Sequence, residues 1–179
     1  MARTAPEPPA APTARRVDRS RSPVRAAALS LLTLSIYGFW WWYDLNRRLR
    51  ALGQPARPWR ALGLVTVGLV VMAPAVMADL PWLAVALSPI PVVLSLLAVW
   101  QTATLLAAAQ RARAARETIS VPTAVTLAGA AVVGAVTWYA LAALKVDAYL
   151  LVGVAWPLLA MGFVAYLQAQ LNAVPGDGG

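Results

Sequence analysis

The chain contains no cysteine and no histidine. These absences exclude disulfide frameworks, thiol nucleophiles and zinc sites built on Cys or His. They also remove the commonest general base. Acids are scarce and scattered: Glu7, Asp18, Asp44, Asp79, Glu117, Asp147 and Asp177 form no local carboxylate pair. Lysine is reduced to Lys145, and the other 14 basic residues are arginine. Charged residues make up 12% of the chain, against about 25% in soluble domains. There is no phosphate-binding glycine loop, no catalytic serine elbow and no metal-spaced cluster. The sequence therefore points to no enzyme, no catalytic residue and no cofactor.

What the chain does have is apolar bulk. It is 60% hydrophobic over 179 residues, with a mean hydropathy of +0.65. A domain this short exposes too much surface to hide that surplus in one core. The expected class is an all-α integral membrane protein. Five stretches carry no charge: 26–43, 61–78, 80–110, 118–144 and 148–172. A spanning helix needs about 20 apolar residues. The expected spans are 61–79, 91–109, 122–144 and 149–170. Pro91 suits a first helical turn, so 79–90 is expected to be a short, partly irregular connection. Pro157 is expected to kink the last span.

The charges decide the threading. Six arginines precede the first apolar stretch and five follow it; Arg111, Arg113 and Arg116 form the next cluster. If all five stretches cross, the two sides collect seven and eight basic residues. If the first returns on one side, that side collects 14 and the other only Lys145. Basic residues gather on the cytoplasmic side of short loops. The split of 14 to 1 favours four spans, both termini in the cytoplasm, and a first element that does not cross.

That element occupies residues 24–53. A short helix over 24–35, about 18 Å long, leads to Ser35 and Gly38, where a helix can loosen. Phe39, Trp42, Leu45, Leu49 and Leu52 then recur at helical spacing, with Arg47, Arg48 and Arg50 off that stripe. Such a basic amphipathic helix suits the headgroup layer, and those three arginines are candidate headgroup contacts. Gly53 is placed to cap it. One continuous helix through 26–43, about 27 Å long, is the alternative; length permits it and the charges oppose it.

Residues 1–23 are rich in Pro and Arg and poor in bulky apolar side chains, so they should be a disordered tail. Residues 174–179 should be a flexible end. The basic tail sets orientation and attracts anionic lipid at about 1 kcal/mol per base near the surface. It carries no interleaved aromatics, so nucleic acid is not an expected partner. Partners are the bilayer, a second copy or another membrane protein.

No ionisable residue falls inside an expected span, which argues against a coupled transporter. Gln101, Thr102 and Thr104 cluster in the third span and are candidates to line a small polar cavity. Their alternative role, shared with Gln168 and Gln170, is hydrogen bonding between helices. Ala130 with Gly134, and Ala165 with Ala169, have the small-residue spacing of close helix contacts.

The most distinctive run is RSPVRAAALSLLTLSIYGFWWWYDLNRRL, residues 21–49. It resembles the start of a bacterial membrane family known as domain of unknown function 4234. Thr33, Ile36, Tyr37, Gly38 and Trp41 match its pattern, while Ser35 stands where the family usually has Gly. The ending AYLQAQLN, residues 165–172, also resembles the family's C-terminus. The stronger match covers about a sixth of the chain. The resemblance implies an integral membrane protein of the bacterial inner membrane and brings no activity, substrate or cofactor. Two functions remain open: a non-enzymatic scaffold or modulator of a membrane complex, and a small channel or carrier for a neutral or lipid-like solute.

Overall fold

The structure is a computed structural model that describes residues 22–23, 36–78, 80–115 and 118–175. The expectations for Thr33, Ser35, Asp79 and most of both tails lie outside the described residues. Among the described residues, six helices longer than one turn follow in order: α1 (Ile36–Ala51), α2 (Pro58–Met77), α3 (Pro81–Leu87), α4 (Pro89–Ala112), α5 (Val121–Ala143) and α6 (Tyr149–Asn172). No strand occurs among the described residues. Among the described residues, four stretches are long and apolar enough to cross a membrane: Pro58–Ala75, Trp82–Ala112, Val121–Ala142 and Tyr149–Asn172. The chain is a multi-pass, all-helical membrane protein.

Helix ends follow local chemistry. α1 stops at a left-handed Gly53 with φ +81°. The Gln54 N–H bonds to the Leu49 carbonyl and the Gly53 N–H to that of Arg50, both at 3.1 Å. This is the glycine cap the sequence leads one to expect. The same pair of bonds closes α4 around Ala114 and α5 around Lys145. There the left-handed position is held by non-glycine residues at φ 48° and 56°. Ser120 caps α5, its hydroxyl oxygen accepting from the Thr123 N–H at 3.3 Å.

Residues 81–87 depart from expectation. They form a helix of nearly two turns instead of an irregular connection, and α4 begins at Pro89 instead of Pro91. First-turn N–H groups have no intrahelical partner, so proline is tolerated anywhere in that turn. Pro81 can therefore open α3, and Pro89 and Pro91 both fit the first turn of α4. Ser88 marks the join, its hydroxyl donating to the Val85 carbonyl at 2.7 Å. Gly38 also departs from expectation: it lies inside α1, with no break at that residue.

The spanning helices pack antiparallel. Gly68 of α2 faces Pro91 at the start of α4, Gly134 of α5 faces Trp156 of α6, and Gly153 of α6 faces Trp138 of α5. A methyl group at any of these three glycines would come within 3 Å of its neighbour. Small residues thus let helices approach inside one bundle, as the spacing around Gly134 suggests. Ala130 and Ala169 remain exposed. This alternation puts Arg57, Arg60, Arg111 and Arg113 at one end, with the end of α6. Among the described residues, Lys145 is the basic residue of the other end.

The core gathers at the arginine-rich end, because α1 docks there. Trp41, Trp42, Leu45 and Leu49 are buried against Ala103, Leu106, Phe163 and Leu167. Trp42, Leu45 and Leu49 of the apolar stripe of α1 therefore pack against the protein. The physical reason is supply: α4 and α6 offer alanine, leucine and phenylalanine against which two indoles can pack. The α1 partners Trp59, Thr102, Phe163 and Gln168 lie in the half of their own helices nearest this end. At the opposite end Met77 is 87% exposed and Leu151 79%, which is the surface a bilayer would cover.

Candidate functional site

Polar side chains converge at the docked end in two sets. The first ties helices together. The Trp41 Nε1–H donates to Gln168 Oε1 at 2.9 Å across 127 residues of sequence. Gln168 Nε2 in turn donates to Asn172 Oδ1 at 2.9 Å. Asn46 Nδ2 donates to the Trp42 carbonyl at 3.0 Å, and the Thr102 hydroxyl donates to Asn46 Oδ1 at 3.4 Å. Gln110, fully buried, donates from Nε2 to the Gln170 carbonyl at 2.9 Å and side chain at 3.1 Å. Its Oε1 accepts the Ile119 N–H at 2.6 Å. Inside an apolar bundle each such bond is worth roughly 1 kcal/mol. Breaking one by deleting a partner strands the other group, at about 1–3 kcal/mol.

The second set surrounds a cavity of about 280 Å³. Asn46 of α1, Pro55 and Arg57 of the connecting loop, Arg60 and Ala61 of α2, and Gln101, Thr102 and Leu105 of α4 line it. Of the polar cluster in α4, Gln101 and Thr102 lie on this wall. Thr104 does not. Its hydroxyl turns back onto its own helix, donating to the carbonyls of Trp100 at 2.9 Å and Gln101 at 2.8 Å. A hydroxyl at this depth satisfies itself locally when no neighbour offers an acceptor.

The arginine expectations divide similarly. Arg47 and Arg50 are exposed on α1, as a headgroup contact requires. Arg48 is turned inward. Its Nε donates to Asp44 Oδ2 at 2.9 Å, and its side chain is only 14% exposed. Asp44 is buried, and pairing at i,i+4 is how a helix neutralises such a carboxylate. Arg47 lies 3.9 Å from the other oxygen of Asp44. Arg48 is therefore a structural ion pair before it is a lipid contact.

Three contributors escape sequence reasoning. Arg57 and Arg60 register there only as topological charges, although their i,i+3 spacing across Pro58 signals a shared face. Gln110 reads as one polar residue among alanines. Trp42 is the opposite case. Among the described residues its buried indole N–H has no hydrogen-bond partner, and no sequence signal distinguishes it from the bonded Trp41. Among the described residues, no three His, Cys, Asp or Glu side chains come together as a metal-binding group.

No family model, curated protein or solved structure matches the chain. The Trp41–Gln168 bond joins the stretches 21–49 and 165–172. Ile36, Tyr37 and Gly38 lie in the first turn of α1, and Trp41 is buried on its inner face.

Proposed function

We propose that this chain is a non-enzymatic protein of the bacterial inner membrane, related to domain of unknown function 4234, that acts as a scaffold or modulator of a membrane complex. The observation that carries the reading is the docking of α1. Its inner face is fixed to α4 and α6 by Asn46–Thr102 and Trp41–Gln168, while Arg47 and Arg50 face outward. The bundle's polar groups hold a basic helix rigidly in place, and a rigid basic face suits presentation to a partner. On this reading both termini and α1 lie on the cytoplasmic side, where basic residues accumulate.

Site-specific photocrosslinking in living cells tests the proposal. Crosslinkers at positions 47 and 50 should give the same discrete protein adduct, absent when the crosslinker sits at Leu151. Adducts to lipid alone from both faces would refute it. A carrier for a neutral or lipid-like solute is the second reading, favoured by the cavity at Gln101 and Thr102. Unchanged liposome flux in a Gln101→Leu, Thr102→Val variant would eliminate it.

A further inference from the structure

The cavity has a chemistry that neither reading uses. Arg57 and Arg60 share its wall with Asn46, Gln101 and Thr102. No lining residue is acidic. The nearby carboxylate, Asp44, is occupied by Arg48 and faces Arg47. Among the described residues, neither Arg57 nor Arg60 has a salt-bridge partner. Guanidinium forks match phosphate oxygens in pairs. The first turn of α2 adds its positive dipole end beside Arg60.

We infer that this cavity binds a phosphate group, and that its source is the headgroup of an anionic membrane lipid. Three observations select the phosphate of a lipid. A volume of about 280 Å³ lies just below the range of drug-sized sites, roughly 300–1,000 Å³, and suits a headgroup. Leu105 and Ala61 give the wall an apolar part, where the glycerol and the first acyl carbons would rest. Beside the cavity's loop, Trp59 is 72% exposed and its ring lies 4.9 Å from that of Tyr43. Exposed Trp and Tyr mark the headgroup level of a bilayer. The site therefore sits where a lipid phosphate resides, with Arg57 and Arg60 as its cationic clamp and the Gln101 amide as a neutral donor. This inference does not depend on the scaffold reading.

Native mass spectrometry of the purified full chain in detergent tests it, with phosphatidylglycerol, phosphatidylcholine and inorganic phosphate as probes. The wild type should retain phosphatidylglycerol in preference to phosphatidylcholine. The R57Q/R60Q variant should bind phosphatidylglycerol at least about tenfold more weakly with unchanged far-UV circular dichroism. The R111Q/R113Q variant removes the same charge from the end of α4, outside the cavity's lining, and should bind as the wild type does. Equal loss in both variants would reduce the effect to net charge and overturn the site, as would undiminished binding by R57Q/R60Q. Inorganic phosphate that binds with the same Arg57 and Arg60 dependence, while phosphatidylglycerol shows none, would overturn the lipid source. Phosphatidylglycerol binding that millimolar phosphate does not displace would support that source.

Discussion

Trp41 and Trp42 offer a comparison in which most terms cancel. Both indoles are buried on adjacent positions of α1, at 2% and 8% exposure. Replacing either by phenylalanine removes the same atoms from the same core, so the transfer and cavity costs are alike. The hydrogen bonding differs in sign. Trp41→Phe deletes the donor of a 2.9 Å bond and strands Gln168 Oε1. Bonds of this kind between membrane helices are worth about 0.6 kcal/mol on average and up to about 1.7. Trp42→Phe removes a buried N–H that has no partner among the described residues, relieving a penalty of about 1–3 kcal/mol. The expected gap is therefore at least about 1.5 kcal/mol, with Trp41→Phe the less stable. Reversible unfolding in mixed micelles, followed by far-UV circular dichroism, measures it without relying on tryptophan fluorescence. Adding Gln168→Leu to Trp41→Phe should cost little more, since the stranded acceptor is then gone and Asn172, which loses its bond to Gln168, is exposed to solvent. Equal stability of the two single variants, or a larger loss from Trp42→Phe, would refute the assignment of the bond.

Other substitutions probe separate features. Gly63→Ala and Gly68→Ala lie in the same helix and gain the same propensity of about 1 kcal/mol. Only at Gly68 does the methyl group meet backbone, 2.9 Å from Pro91 Cα, so that variant should fall about 1–3 kcal/mol below the other in the same assay. Lys145→Gly and Ala114→Gly should each stabilise by roughly 0.5–1 kcal/mol. The left-handed cost of about 1–2 kcal/mol for a side chain exceeds the entropy cost of glycine. Gln110→Leu should cost about 1–3 kcal/mol and speed hydrogen exchange of the Ile119 amide, which loses its acceptor.

Much of the architecture was legible in the residues. Charge-free stretches of the right length located four spanning segments, and Gly53 located the end of α1. The turn chemistry at 81–91 was misread because proline's compatibility with a first turn fixes no particular start when three prolines compete. The apolar stripe of α1 was visible, yet its partner was not. Helical periodicity identifies a face that avoids water, and both lipid and a neighbouring helix satisfy that requirement. The candidate site was half legible. Gln101 and Thr102 stood out as polar residues in an apolar run. Arg57, Arg60 and Asn46 belong to other segments, and only tertiary packing brings them to the same cavity. Thr104 shows the limit of a cluster in sequence: its hydroxyl found an acceptor within its own helix, one residue pair away from the lining.

The threading around α1 is the claim on which the rest stands, and the absence of cysteine makes it directly measurable. Single cysteines at Ser20, Gln54, Thr118 and Lys145 can be labelled in intact cells and inverted vesicles with a membrane-impermeant maleimide. A first element that enters and returns puts positions 20, 54 and 118 on the cytoplasmic side, leaving position 145 alone outside. Labelling of positions 20 and 54 from opposite sides would contradict it, because residues 24–53 would then cross the membrane.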